Sequence, residues 1–184
     1  MKFSLAAACA VSVALLPPSL AQAQTVSSSS GGLDSDSAES KQPKRMVMGA
    51  KAKLARNGMA IPPSSAPAAV KKVIAAGNHI ARKPYKWGGG HARLNDSGYD
   101  CSGSVSYALR KAGLLDYALA SGPFMTWGKR GRGKWITIRT NPGHAYMVVA
   151  GLRFDTSARS AGGSRWTAVQ RSARGYVARH PAGF

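Results

Sequence analysis

Gly98-Tyr99-Asp100-Cys101-Ser102-Gly103-Ser104-Val105 is the stretch whose reading decides the fold of this 184-residue chain. Asp100 suits a helix N-cap, and Val105, Ala108, Leu109 and Ala112 follow at spacings of three and four before Gly113. Cys101 therefore falls in the first turn of a predicted helix. Backbone N–H groups there lack intrahelical partners and the helix dipole favours an anion, so a thiol placed there loses its proton more readily. A free cysteine is also commonly a small buried core residue, so position alone does not make Cys101 a nucleophile.

The only other cysteine, Cys9, lies in an apolar run from Phe3 to Leu16. Lys2 precedes the run, and Pro17-Pro18 and Ala21-Gln22-Ala23 follow it. This is the pattern of a secretory signal peptide, residues 1–23, cleaved after Ala23. The run is too short to be a comfortable membrane span. Export would leave Cys101 as the sole thiol, unable to form an internal disulfide, and this moves the reading toward reactivity.

Residues 24–64 read as a disordered linker, Ser-rich from Ser27 to Ser30 and then basic from Lys41 to Arg56, with too little apolar surface to offset ordering. The portion from Lys44 to Arg56 has the alternative of a short basic helix on an anionic surface. The folded domain is expected over 65–184. Val70, Val73, Ile74, Gly77, Ile80 and Ala81 predict a helix behind Ser65 and Pro67, ending before Pro84. Downstream of the Cys101 helix, the loop Gly128-Lys129-Arg130-Gly131-Arg132-Gly133-Lys134 precedes a strand at Trp135–Arg139. A turn at Asn141-Pro142-Gly143, a strand at His144–Ala150 and a strand at Leu152–Thr156 follow. Trp166 and Gly175–Ala178 suggest edge structure. Helices first and an antiparallel sheet afterwards make an α+β domain.

A thiol nucleophile needs a base within hydrogen-bond reach and a third group to orient it. Of the four histidines, His79 and His180 read as surface residues, and His91 sits on a glycine-rich loop taken as flexible. His144 opens a strand after a Pro-Gly turn and is the better candidate. Asp155, on the next strand, is the candidate to orient it. A turn at Gly151-Leu152 would pair Asp155 with Val148, so twist or a bulge must bring it to His144.

Three segments in order, Pro84-Tyr85-Lys86-Trp87-Gly88-Gly89, Asp100-Cys101-Ser102-Gly103 and Gly143-His144, resemble the NlpC-type family of bacterial cell-wall cysteine peptidases. The resemblance spans roughly Val70 to Thr156. It implies a papain-like fold, with Cys101 opening a helix packed on an antiparallel sheet. It also implies Cys101 as nucleophile, His144 as base, Tyr85 lining the site, and Asp100 and Ser102 holding the free amine of a stem peptide. The bond implied is that between D-γ-glutamate and a diamino acid in peptidoglycan. Two positions depart from the family pattern. The third catalytic residue, usually His, Asn or Gln, is Asp155 or Thr156 here, and Trp135-Ile136-Thr137-Ile138 replaces the usual Gly-Asp-Leu-type strand.

Twenty-six Lys and Arg against seven Asp and Glu give a formal charge of +19, which implies an anionic partner. For an exported protein the expected partners are anionic envelope polymers or a lipid surface. The Lys129–Lys134 tip resembles a phosphate-binding patch, but the basic residues are scattered, so no specific nucleic acid is expected. The competing functions are a non-catalytic cationic binding protein and a papain-like acyltransferase or amidase using the same thiol. Four scattered histidines and one cysteine lack metal-ligand spacing, so no metal or other cofactor is expected, and the chain reads as a monomer.

Overall fold

The computed structural model describes residues 46–184. The signal peptide expected at 1–23 and the linker from 24 to 45 lie outside the described residues. The rest of the expected linker is a correction. Lys53–Leu54 (β1) and Ala60–Ile61 (β2) form an antiparallel hairpin, and no helix forms between residues 46 and 56. The hairpin docks through backbone groups that composition does not reveal. Ala60 exchanges two hydrogen bonds with the Asn78 side-chain amide at 2.8 and 2.9 Å, and the Ala52 N–H donates to the Ala150 carbonyl. Ala60 is buried in consequence.

Helix α1 (Ala68–Ile80) buries Val70, Val73, Ile74, Gly77 and Ile80, the face the spacing predicts. Its N-cap is Pro67, without a side-chain hydrogen bond, while the Ser65 hydroxyl donates to Gly49 instead. Helix α2 (Cys101–Lys111) runs against α1 and the sheet, and every residue from Ser102 to Leu109 is buried. A helix enclosed on all sides can carry hydroxyls only if each finds a partner. Ser104 donates to the Asp100 carbonyl at 2.7 Å, and Ser106 both donates to and accepts from the Leu119 backbone.

The sheet is antiparallel. Short helix α3 (Ser121–Phe124) precedes β3 (Lys129–Arg130), β4 (Ile136–Asn141), β5 (His144–Val149) and β6 (Leu152–Phe154). A 3-10 turn (Thr156–Ala158), α4 (Arg159–Gly162), β7 (Trp166–Thr167) and β8 (Val177–His180) complete the chain. The strand order is β3-β8-β4-β5-β6-β7. Thus β7 is an edge strand, as expected, but β8 is not: it inserts between β3 and β4. That crossing depends on long-range pairing, which no local pattern encodes. The basic tip expected as a loop supplies the edge strand β3. Ile136, Ile138, Met147, Val149 and Phe154 meet the apolar faces of α1 and α2 in one core. This is the expected α+β arrangement, with Cys101 opening a helix packed on an antiparallel sheet.

Gly77 permits the closest helix–sheet approach. A Cβ built there would lie 2.6 Å from Trp166 Cζ2, so α1 can seat against Trp166 and Phe154 only where that position carries no side chain.

Candidate active site

Asp100 starts the site. Its backbone is extended at the N-cap, and its Oδ1 accepts the Gly103 N–H at 2.6 Å, which fixes the first turn of α2. The glycine-rich segment before it is tied down rather than loose. Gly88 N–H donates to Asp100 Oδ2 at 3.0 Å, Asp100 N–H to the Gly89 carbonyl at 3.2 Å, and Tyr99 N–H to the Pro84 carbonyl at 3.1 Å. Gly103 is required because the Gly89 carbonyl occupies the space where a side chain would go. Asp96, bonded to Lys86 at 2.7 Å, and the Tyr99 hydroxyl, donating to Leu94, close the rest of the loop.

His144 is presented by a tight turn. Asn141 and His144 pair at the end of the β4–β5 ladder, and the Asn141 side-chain oxygen accepts the N–H groups of Gly143 (3.0 Å) and His144 (2.8 Å). The Ser121 hydroxyl of α3 holds the same turn through the Pro142 carbonyl. The imidazole and the Cys101 thiol lie close enough for each to shift the other's pKa, and the imidazole Nε2 lies 3.1 Å from Asp155 Oδ1.

The geometry that brings Asp155 there places the turn one residue earlier than expected, which moves the partner of Asp155 by two residues, from Val148 to Tyr146. The β5–β6 turn is Ala150-Gly151, both at positive φ (45° and 88°), so Val149 pairs with Leu152. A two-residue turn of type I′ needs this conformation twice, and Ala150 adopts it although it is not glycine. Continuing the ladder places Asp155 beside Tyr146, one diagonal step from His144 on the same face, which is within side-chain reach. Asp155 also caps the 3-10 turn by accepting Ser157 N–H at 2.9 Å.

Charges reinforce the chain of hydrogen bonds. For His144 the bond to Asp155 comes first and the bond to Cys101 second; together they outweigh burial and raise its pKa to about 9. Burial pushes the Cys101 thiol up, but the His144 bond and the Ala145 N–H pull it further down, and the net shift is downward. Burial likewise raises Asp155, and the bonds from His144 and Ser157 overcome it, so its carboxyl stays well below the ordinary range. These shifts favour a thiolate–imidazolium pair backed by a carboxylate.

Three supports lie outside the expected site residues, and two of them, Arg171 and Arg165, carry no local sequence signal. Arg171 Nη1 reaches Asp155 Oδ2 at 3.2 Å while its guanidinium lies over the rings of Tyr146 and Tyr176, 5.4 and 5.3 Å from their centroids. Asn141 anchors the histidine turn. Arg165, on the strand-forming segment before β7, is wholly buried and donates to the carbonyls of Ile80, Lys83, Pro84 and Tyr99 and to the Ser104 hydroxyl. It thereby locks the end of α1, the residue before the Asp100 cap, and the first turn of α2 together.

Of the remaining candidates, Tyr85 is half exposed beside the thiol. Its pKa is raised first by partial burial and then by the charges of Cys101 and Asp100. Asp100 and Ser102 flank Cys101 but are occupied: Ser102 donates to Asp100 Oδ1 at 3.2 Å, and His91 Nε2 sits 3.1 Å from that oxygen and 3.2 Å from Ser102 Oγ. Thr156 is half-buried in the 3-10 turn and has no bond to His144. His79 is exposed and stacks on Tyr107, and His180 Nδ1 lies 3.1 Å from the Gly131 carbonyl. Among the described residues no group of three His, Cys, Asp or Glu side chains converges as a metal site.

No protein-family model matches the chain, and no curated protein matches it. Among solved structures, the P60 domain of an antigen from M. avium subspecies paratuberculosis is similar at 24% identity, over 60% of this chain and 93% of that one, with a TM-score of 0.45.

Proposed function

We propose that the protein is an exported cysteine peptidase that hydrolyses peptidoglycan stem peptides. The observation that carries this reading is Cys101 at the first position of α2, with its proton affinity coupled to a His144 imidazole that lies 3.1 Å from the Asp155 carboxylate. In the proposed reaction the Cys101 thiolate attacks the amide carbonyl, and imidazolium His144 protonates the leaving amine. Neutral His144 then takes a proton from water, which hydrolyses the thioester and frees the thiol. Asp155 holds the imidazole in one tautomer and stabilises its charged form.

The three motif segments support the D-γ-glutamyl–diamino acid bond as the target, with Tyr85, Asp100 and Ser102 beside the acyl portion. An amine that reaches Asp100 Oδ1 must displace His91 from it. The leader-like pattern at 1–23 supports export, and the formal charge of +19 supports electrostatic retention on anionic wall polymers. Such retention should fall steeply as salt rises through the physiological range, where the Debye length is about 8 Å.

The test is digestion of purified peptidoglycan, with the new amino ends identified by mass spectrometry. New ends at the diamino acid that vanish in a folded Cys101→Ala variant support the proposal. Unchanged digestion by Cys101→Ala overturns it.

A further inference from the structure

A cleft of about 300 Å³ is lined by Tyr85, Thr156, Ser157, Arg159, Ser160 and Arg165. Tyr85 on one wall lies within the field of Cys101, and Ser157 on the other is bonded to the Asp155 carboxylate. The cleft is therefore walled by residues that interact with the reacting groups. Its chemistry is one-sided: three hydroxyl side chains, a phenol and two guanidinium groups line it.

Neither arginine has an acidic partner. Among the described residues, Asp155 and Asp96 pair with Arg153, Arg171 and Lys86, and no carboxylate pairs with Arg159 or Arg165. All five Arg165 donor bonds go to neutral oxygens. Among the described residues Arg159 spends only its Nε–H, on the Arg82 carbonyl at 3.2 Å, and its terminal N–H groups meet no acceptor. Burial, and then the charge of Arg159, lowers the pKa of Arg165 to about 10, as expected for two cations that share a space without a counterion.

A concave, hydroxyl-lined wall with an unneutralised guanidinium fork is built to receive a planar anion, because Arg binds carboxylates through paired N–H donors. We propose that this cleft is a specificity subsite that takes a carboxylate of the peptide substrate, with Arg159 as the residue that recognises it. The inference rests on Cys101 being the reacting thiol, but not on which bond is cleaved. The carboxylate comes either from an acidic side chain or from a free chain end, and the probes below separate the two.

The experiment measures protection of Cys101 from iodoacetamide in the full-length protein, a readout that needs no turnover. N-acetylglutamate α-amide offers only a side-chain carboxylate, N-acetylglutamine only a terminal one, and N-acetylglutamine amide neither. One of the two acids should protect at about tenfold lower concentration than the neutral probe, the order of preference a charge-assisted hydrogen bond gives. Arg159→Gln should erase that preference, Arg159→Lys should keep part of it, and Arg130→Gln, on the distant β3 edge, should leave it intact.

Equal protection by all three probes in the wild type overturns the subsite, as does a preference that survives in Arg159→Gln. A preference lost equally in Arg130→Gln overturns it too, in favour of the general field. Protection without any peptidoglycan cleavage would leave the subsite standing and the peptidase reading fallen.

Discussion

Asp155 faces His144 across one diagonal step of the β5–β6 ladder, with Oδ1 3.1 Å from Nε2. This contact leaves Nδ1 of the imidazole for the thiol, and it is the main reason that His144 holds its proton to about pH 9.

The pH profile of thiol reactivity should have an alkaline limb near 9, where His144 loses its proton. Asp155→Asn removes the carboxylate, so the imidazolium is less stable and the limb should move to lower pH. The sign for stability is the same. His144 is raised above its ordinary 6.5, so its contribution is full below that pH and is lost as pH climbs through about 9. Asp155 is lowered, so its contribution is present above its ordinary 3.8 and fades as the solution is acidified below it. Iodoacetamide kinetics across pH check the first point; a limb that stays put in Asp155→Asn refutes the assignment.

His144→Ala should lose roughly 10²–10⁴-fold in rate, the usual worth of a general base. His91→Ala should retain most activity, because His91 Nε2 contacts Asp100 and Ser102 and His144 is the histidine whose pKa is coupled to the thiol. Asp155→Asn can still accept from Nε2 and should be milder than Asp155→Ala. Steady-state rates on one peptide substrate rank the four variants, and a dead His91→Ala beside an active His144→Ala would reverse the roles.

Arg171 offers a test with the opposite sign. It sits 3.2 Å from Asp155 Oδ2 and tempers the carboxylate. Arg171→Met keeps the stacking bulk against Tyr146 and Tyr176 but removes the charge, so Asp155 should stabilise the imidazolium more strongly. The alkaline limb should then shift upward, where Asp155→Asn shifts it downward. Measuring both variants in one buffer series distinguishes an electrostatic role for Arg171 from a structural one.

Gly77→Ala should lower stability by about 1–2 kcal/mol, since overpacking against Trp166 exceeds the helix propensity that alanine gains. Thermal unfolding would register this as a drop of a few degrees in Tm. An unchanged or higher Tm would mean that α1 shifts off the sheet without strain.

The path from Asp100 to Cys101 was legible because capping and helix periodicity are local, and His144 stood out because a Pro-Gly turn precedes it. The register at Ala150-Gly151 was not, because an alanine at positive φ carries no signature in a sequence. Residues 46–64 read as linker from composition, yet their backbone groups are satisfied by Asn78 and Ala150, which lie far along the chain. The roles of Arg165 and Arg171 escaped for the same reason: each acts on residues brought near only by the completed sheet.

Arg165 also ties the setting of the Cys101 site to assembly. The first turn of α2 is 61 positions upstream of the side chain that holds Ser104, and Ile80 is 85 positions upstream of it. A nascent or clipped chain ending before Gly163 can contain the thiol, the histidine and Asp155 and still leave the loop around Cys101 unbraced. Closure over so long a separation is slow compared with forming either helix. The reactive thiolate should therefore appear only when the segment from Gly163 onward docks, so the chain stays chemically quiet until it is whole.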